Sequence, residues 1–147
     1  MIEIKKEYIS KLDNFMHLFY KRINSFNLEM DINQFQGATP IELSILGIVG
    51  DEPDVILKDI IDKLQVPGST LTSAIDRLER RNLLTRIISK RDRRSYGLSL
   101  TTEGQKVYID HKRVEQLMWS KILSTFDSNE EIELFLKLIE KVAKGIK

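Results

Sequence analysis

Seven of the nine arginines (Arg77, Arg80, Arg81, Arg86, Arg91, Arg93 and Arg94) fall within 18 residues, while lysine is spread over the rest of the chain. A guanidinium is a flat fork that matches phosphate oxygens and the O6/N7 edge of guanine, so this clustering says more than positive charge alone. Just upstream, Ser69, Thr70, Thr72 and Ser73 place small hydroxyls that can reach phosphates and base edges. The chemistry these types support is recognition of a polyanion rather than bond making. The chain has no phosphate-binding glycine loop, no nucleophile elbow and no His-Glu-x-x-His pattern. It has no cysteine, which excludes disulfide scaffolds, Cys-ligated zinc and thiol redox sensing. Its two histidines, His17 and His111, lack the carboxylate–histidine spacing of a metal site. Neither a cofactor nor an enzymatic activity is expected.

The 147 residues are enough for one compact domain, with 41% hydrophobic residues for a core and 31% charged residues. No stretch approaches the roughly 20 apolar residues that span a bilayer, so no membrane partner is expected. Met1-Ile2-Glu3-Ile4-Lys5-Lys6-Glu7 carries charges where an export signal needs an apolar run, and a cytoplasmic location is the expectation. The net charge of +1 conceals an asymmetry: residues 39–64 carry −4, residues 65–100 carry +5, and the remainder is neutral. The middle of the chain is therefore the part expected to meet a polyanion.

The elements that would position these groups follow from periodicity. Tyr8, Leu12, Phe15, Phe19 and Phe26 recur at helical spacing, with Ile9, Met16 and Ile23 beside them. Asn27 to Gly37 reads as a connection. Thr39-Pro40-Ile41-Glu42 is a helix start with a capping box and proline in the first turn; the helix runs to about Gly50. Val55 to Leu64 predicts a short helix with Ile56, Ile60, Ile61 and Leu64 inward. After the turn Gln65-Val66-Pro67-Gly68, a helix over Ser69 to Arg81 turns Leu71, Ala74, Ile75 and Leu78 inward and its hydroxyls outward. Two short helices joined by a tight turn describe a helix-turn-helix. Asn82 ends the second, since asparagine tolerates the left-handed conformation needed there. Leu84–Ile88 and Tyr96–Leu100 read as a hairpin with the basic tip Ser89-Lys90-Arg91-Asp92-Arg93-Arg94-Ser95. Thr101 caps a long helix to about Phe126, with Val107, Val114, Leu117, Met118 and Ile122 inward. Ser128 and Glu131 form a second capping box before a last helix carrying Ile132, Phe135, Leu136, Ile139, Val142 and Ile146.

This order of parts resembles the MarR family of winged helix-turn-helix regulators. The resemblance rests on Ala38-Thr39-Pro40-Ile41-Glu42, Ser69-Thr70-Leu71-Thr72, Asp76-Arg77-Leu78-Glu79-Arg80-Arg81-Asn82-Leu83-Leu84, Asp92-Arg93-Arg94 and Leu100-Thr101-Thr102-Glu103-Gly104. Two positions depart from the pattern: Asn82 stands where glycine is common, and Pro67-Gly68 where a Ser or Thr cap is usual. The resemblance implies a homodimer that binds double-stranded operator DNA, with release by a small-molecule effector. It assigns Arg94 to the minor groove and Asp92 to bracing the wing loop. It places effectors between the DNA-binding part and the helical interface, which singles out Met16, His17, Phe19, Tyr20, Met118 and Trp119.

The fold class expected is mainly α with a small β wing: an N-terminal dimerisation helix over 1–37, a winged helix-turn-helix over 38–100, and C-terminal dimerisation helices over 101–147. The DNA-binding set is Ser69, Thr70, Thr72, Ser73, Arg77, Lys90, Arg91, Asp92, Arg93 and Arg94. Lys90, Arg91 and Arg93 would add phosphate contacts, Arg77 would read guanine or hold a phosphate, and Asp76 would steady Arg80 four residues on. Dimerisation is expected because the terminal helices carry apolar stripes that a winged helix alone cannot cover. The expected function is a sequence-specific transcriptional regulator, a repressor released by an effector. The alternative is a protein-binding winged-helix module, an antirepressor or assembly adaptor. For the arginine cluster itself, the rival reading is a solvated basic face.

Overall fold

The computed structural model describes residues 3–29, 35 and 37–146, with backbone alone for 27–29. Six helices and one hairpin follow in chain order among them: α1 Lys6–Glu29, α2 Pro40–Asp51, α3 Leu57–Leu64, α4 Gly68–Arg80, β1 Leu84–Ile88, β2 Tyr96–Leu100, α5 Thr102–Leu123 and α6 Asn129–Gly145. The chain forms two compact units, Met1–His111 and Lys112–Lys147, with the boundary inside α5.

In the first unit, α2 starts where the sequence placed it. The Thr39 N–H donates to Glu42 Oε2 at 2.9 Å and the Glu42 N–H to Thr39 Oγ1 at 3.4 Å. These two bonds occupy donors that a helix start leaves without partners. Ile45, Leu46 and Val49 of α2, Ile60 of α3, Leu71, Ala74, Ile75 and Leu78 of α4, and Leu83, Leu84 and Leu98 of the hairpin form the core. Val55, the first residue of the predicted helix, is buried outside the observed one: α3 begins two residues later, and the Val55 carbonyl instead accepts the Leu98 N–H at 3.0 Å. Ile56 makes an isolated antiparallel bridge to Gly97 at the edge of the hairpin and is part-exposed rather than inward.

The hairpin is antiparallel, with register running from Leu84 opposite Leu100 to Ile88 opposite Tyr96. Asn82, at φ 55, makes the left-handed turn between α4 and β1. The segment from Leu100 to Gly104 closes onto that turn. Thr101 Oγ1 donates to the Asn82 carbonyl at 2.6 Å, and the Thr101 N–H to the Leu83 carbonyl at 3.2 Å. A Cβ on Gly104 would lie 1.7 Å from the Leu83 carbonyl oxygen, so α5 can begin here only with glycine.

α1 continues to Glu29, three residues past the last expected apolar position; residues 30–34 and 36 of the predicted connection lie outside the described residues. Tyr8, Ile9, Leu12, Phe15 and Phe19 are exposed along α1, and only Ile23 and Phe26 are part-covered. On α5, Val107 and Val114 are buried as expected, but Leu117 is exposed and Met118 and Ile122 are half-buried. In the second unit, Ser128 caps α6 through the Glu131 N–H at 3.3 Å. The Glu131 carboxylate returns to the Asp127 N–H at 2.9 Å, one residue before the cap, rather than closing the box on Ser128 itself. No residue of α6 is buried.

Candidate nucleic-acid interface

The outer face of α4 carries the predicted hydroxyls. Ser69, Thr70, Thr72 and Ser73 are exposed, and Leu71, Ala74, Ile75 and Leu78, interleaved with them, are fully buried. The Thr72 hydroxyl folds back to the Gly68 carbonyl at 2.9 Å. Pro67 is the residue before the first turn, and no side chain caps it. The N–H groups opening α4 therefore keep their donor capacity and the partial positive charge of a helix start, where phosphate binds readily.

The arginine cluster divides into two groups. Glu42, capping α2, is buried to 1% exposure and also takes two guanidinium groups from α4. Arg77 Nε donates to its Oε1 at 2.7 Å and Arg81 Nη1 to its Oε2 at 3.2 Å. Burial by itself would raise the Glu42 pKa. The Thr39 N–H, the Arg77 hydrogen bond and the charges of Arg77 and Arg81 outweigh burial and hold it below the ordinary 4.5. Arg86 on β1 is pinned to α4 by Asp76, at 2.7 Å, and by Glu79. Asp76 thus takes Arg86 rather than Arg80, whose Nε reaches only the Asp76 backbone carbonyl at 3.3 Å. The β1 side chain can approach Asp76 more directly because β1 packs against α4. Arg91 Nη1 donates to Asp59 of α3 at 3.1 Å.

Four of the seven arginines therefore pair with carboxylates within the unit. The Lys90, Arg93 and Arg94 side chains, all exposed at the wing tip, have no recorded partner among the described residues. The tip that carries them is braced from within. Asp92 Oδ1 accepts the Arg94 N–H at 3.0 Å and Oδ2 the Ser95 hydroxyl at 2.8 Å. These bonds lower the Asp92 pKa, the Arg94 N–H foremost. Ser89, buried beneath, accepts the Arg91 and Asp92 N–H groups at 3.1 and 3.2 Å.

Sequence reasoning took Glu42 only as a helix cap and gave no role to Asp54, Asp59 or Glu79, the other acidic groups that hold the arginines and the wing. A signal for three of them was present. Glu42, Asp54 and Asp59 lie in the 39–64 segment of charge −4, whose obvious complement is the +5 segment that follows. The asymmetry in charge is thus partly satisfied within the unit.

The effector candidates are distributed as follows. Met16, His17, Phe19 and Tyr20 are exposed on α1, and the His17 ring sits 2.8 Å from the Asp13 carbonyl oxygen. On α5, Trp119 is exposed and Met118 half-buried. His111 packs edge-on against Phe35 at 5.5 Å between centroids. No group of three His, Cys, Asp or Glu suited to a metal ion occurs among the described residues. None of the described helices is long and apolar enough to cross a membrane. A cavity of about 380 Å³ lies at the wing root, lined by Val49, Pro53, Asp54, Lys90, Leu98 and Gln105 among others, and by none of the six effector candidates.

Residues 36–95 match the MarR family. The chain is 30% identical over 110 residues to the HTH-type transcriptional repressor MdtR of Bacillus subtilis, covering 75% of this chain and 70% of that protein. It is 27% identical over 132 residues to the HTH-type transcriptional regulator MhqR of the same organism, covering 87% and 86%. Among solved structures it is similar to Streptococcus pneumoniae FabT in complex with DNA, with a TM-score of 0.80 and 26% identity over 93% of this chain and 95% of that one. The matched segment contains the α2 capping box, the helix-turn-helix and the braced wing tip, and with relatives aligned over most of their length the chain belongs to the MarR family of transcriptional regulators.

Proposed function

We propose that this chain is a homodimeric repressor that occupies double-stranded operator DNA and is released by a small-molecule effector. The observation that carries the DNA reading is the wing tip, where Asp92 holds a loop whose Lys90, Arg93 and Arg94 side chains are uncommitted. Cations fixed on a braced loop suit the negative potential of a narrow minor groove, and the assignment is Arg94 to that groove with Lys90 and Arg93 on phosphates. Ser69, Thr70 and Ser73 of α4 are assigned to the major groove, with Thr72 contributing through its methyl group or by releasing its hydroxyl from Gly68. Arg77 and Arg91, each tied to a carboxylate, keep further N–H groups for phosphate and act as positioning contacts.

The similarity to MdtR, a repressor, and to FabT, solved in complex with DNA, supports the direction and the ligand. Effector release, non-enzymatic action and a cytoplasmic location complete the reading. The dimer follows from exposed apolar side chains on α1 and, separately, on α6, which a second copy would cover. Two-fold pairing would set the α4 helices about 34–36 Å apart, one turn of duplex.

The test is selection of bound fragments from genomic DNA. A near-palindromic motif with half-sites about one helical turn apart supports the reading; fragments enriched without any common motif refute sequence-specific binding. Trp119, the single tryptophan, then reports effector binding by fluorescence, checked against release of the selected duplex.

A further inference from the structure

We propose that Asp54 is the positioning residue of the wing: it fixes where Lys90, Arg93 and Arg94 stand on the unit that presents α4. The proposal rests on the duplex-binding reading and names the contact that makes the wing competent for it. Asp54 lies between α2 and α3, outside every helix and strand. Its Oδ2 gathers three donors from the far end of β1: the Ser89 hydroxyl at 3.1 Å, the Lys90 N–H at 2.9 Å and the Arg91 N–H at 3.1 Å. The two residues that follow hold the other strand, Val55 through the Leu98 N–H and Ile56 through its bridge to Gly97. Three consecutive residues thus grip the wing where β1 passes into the tip and along the facing part of β2.

The arrangement is unfavourable for a purely structural loop. Asp54 has a left-handed backbone at φ 63, which a glycine would adopt without steric cost. Its second oxygen, Oδ1, is buried without a hydrogen-bond partner. That oxygen occupies space that Gly97 leaves open, since a Cβ there would come within 2.5 Å of it. A strained backbone and an orphan oxygen are costs that glycine at position 54 would avoid, and the gain is the grip on residues 89–91. Asp92 and Ser95 organise the tip only internally. Besides the strands, the tip is tied to the unit by Asp54 and by the exposed Arg91–Asp59 pair. Of these, Asp54 alone holds backbone, and so sets the position of every side chain beyond it.

The experiment compares Asp54→Gly, which keeps the left-handed backbone and removes the carboxylate, with Asp54→Asn, which keeps an acceptor oxygen. Amide exchange at Lys90 and Arg91 is measured in the free protein, and affinity for a genomically selected duplex in both the wild-type and Arg94→Ala backgrounds. Asp54→Gly is expected to speed exchange at both amides and to weaken duplex binding by about tenfold or more, with Asp54→Asn restoring most of both. In the Arg94→Ala background the further loss should shrink to about threefold or less, because groups acting through one element are not additive. Equal losses in both backgrounds, or unchanged affinity despite faster exchange, overturn the proposal. Should Asp54→Gly not fold, Ser89→Ala, which removes one of the three donors, is carried through the same comparison. If the wild-type protein binds no duplex while the amides still respond, the DNA reading has failed and the positioning role with it. Protected amides in Asp54→Gly would refute the grip alone.

Discussion

Glu42 is a single carboxylate that caps one helix and holds two side chains of another. Because it is buried while Arg77 and Arg81 are partly exposed, an amide in its place keeps one acceptor oxygen but turns an NH2 donor toward a guanidinium group and removes the charge that pairs with both. Glu42→Gln is expected to lower unfolding stability by roughly 2–3 kcal/mol at neutral pH, read by denaturant titration. The pH dependence follows from the direction of the shift. Since the folded-state pKa lies below 4.5, the ionised carboxylate stabilises the fold above that pH, and the contribution disappears as pH falls through the lowered value. Glu42→Gln should therefore show a shallower loss of stability in acid than the wild type. Arg94 tests the opposite kind of arginine, one that pairs with no carboxylate among the described residues. Arg94→Ala should weaken operator binding by roughly 1–3 kcal/mol, measured by titration calorimetry, with thermal stability and the dimer unchanged. Arg77→Ala should lower both folding stability and affinity, and lower affinity equally across operator variants, as expected of a side chain that positions α4 without reading bases.

At the scale of elements, the parts set by local rules were legible and those set by distant contacts were not. The capping box at Thr39, the left-handed Asn82 and the inward stripe of α4 are all decided within a few residues, and each appears as expected. Val55 was misplaced because an apolar residue beside a short helix reads the same whether it continues the helix or pairs with a strand 43 positions later, as it does with Leu98. The Asp76–Arg86 pair was missed for a similar reason: spacing along α4 favours Arg80, but β1 brings Arg86 closer. The wing tip was readable as a basic loop, whereas its attachment through Asp54 joins residues 36 apart and leaves no periodic trace. Gly104 permits a direct test of how α5 is seated. Gly104→Ala should cost more than about 2 kcal/mol, since the added methyl meets backbone rather than a movable side chain. A thermal melt within a degree or two of wild type would show that the close approach to Leu83 is unnecessary.

At the scale of the whole molecule, each unit leaves apolar side chains uncovered. Leu12 and Phe15 on α1 are 62% and 65% exposed, and on α6 Val142 is 59% exposed. Exposed apolar area in runs of this kind marks an interaction surface. The charge-introducing pair Leu12→Glu with Phe15→Glu is expected to shift sedimentation from dimer to monomer at micromolar concentration while the winged-helix core keeps its fold. A wild-type protein that sediments as a monomer there would remove the two-fold symmetry on which the operator spacing depends.

The most direct test of the central claim, that wing and α4 together hold duplex DNA, is the salt dependence of binding to a selected operator. Each phosphate neutralised contributes about 0.9 to the slope of log affinity against log salt. Two wings with their cations and two α4 starts predict a slope of about −5 or steeper, falling in magnitude when Lys90, Arg93 and Arg94 are replaced together. Binding that is absent even at low salt, or that is insensitive to salt and to loss of those three residues, would contradict the account.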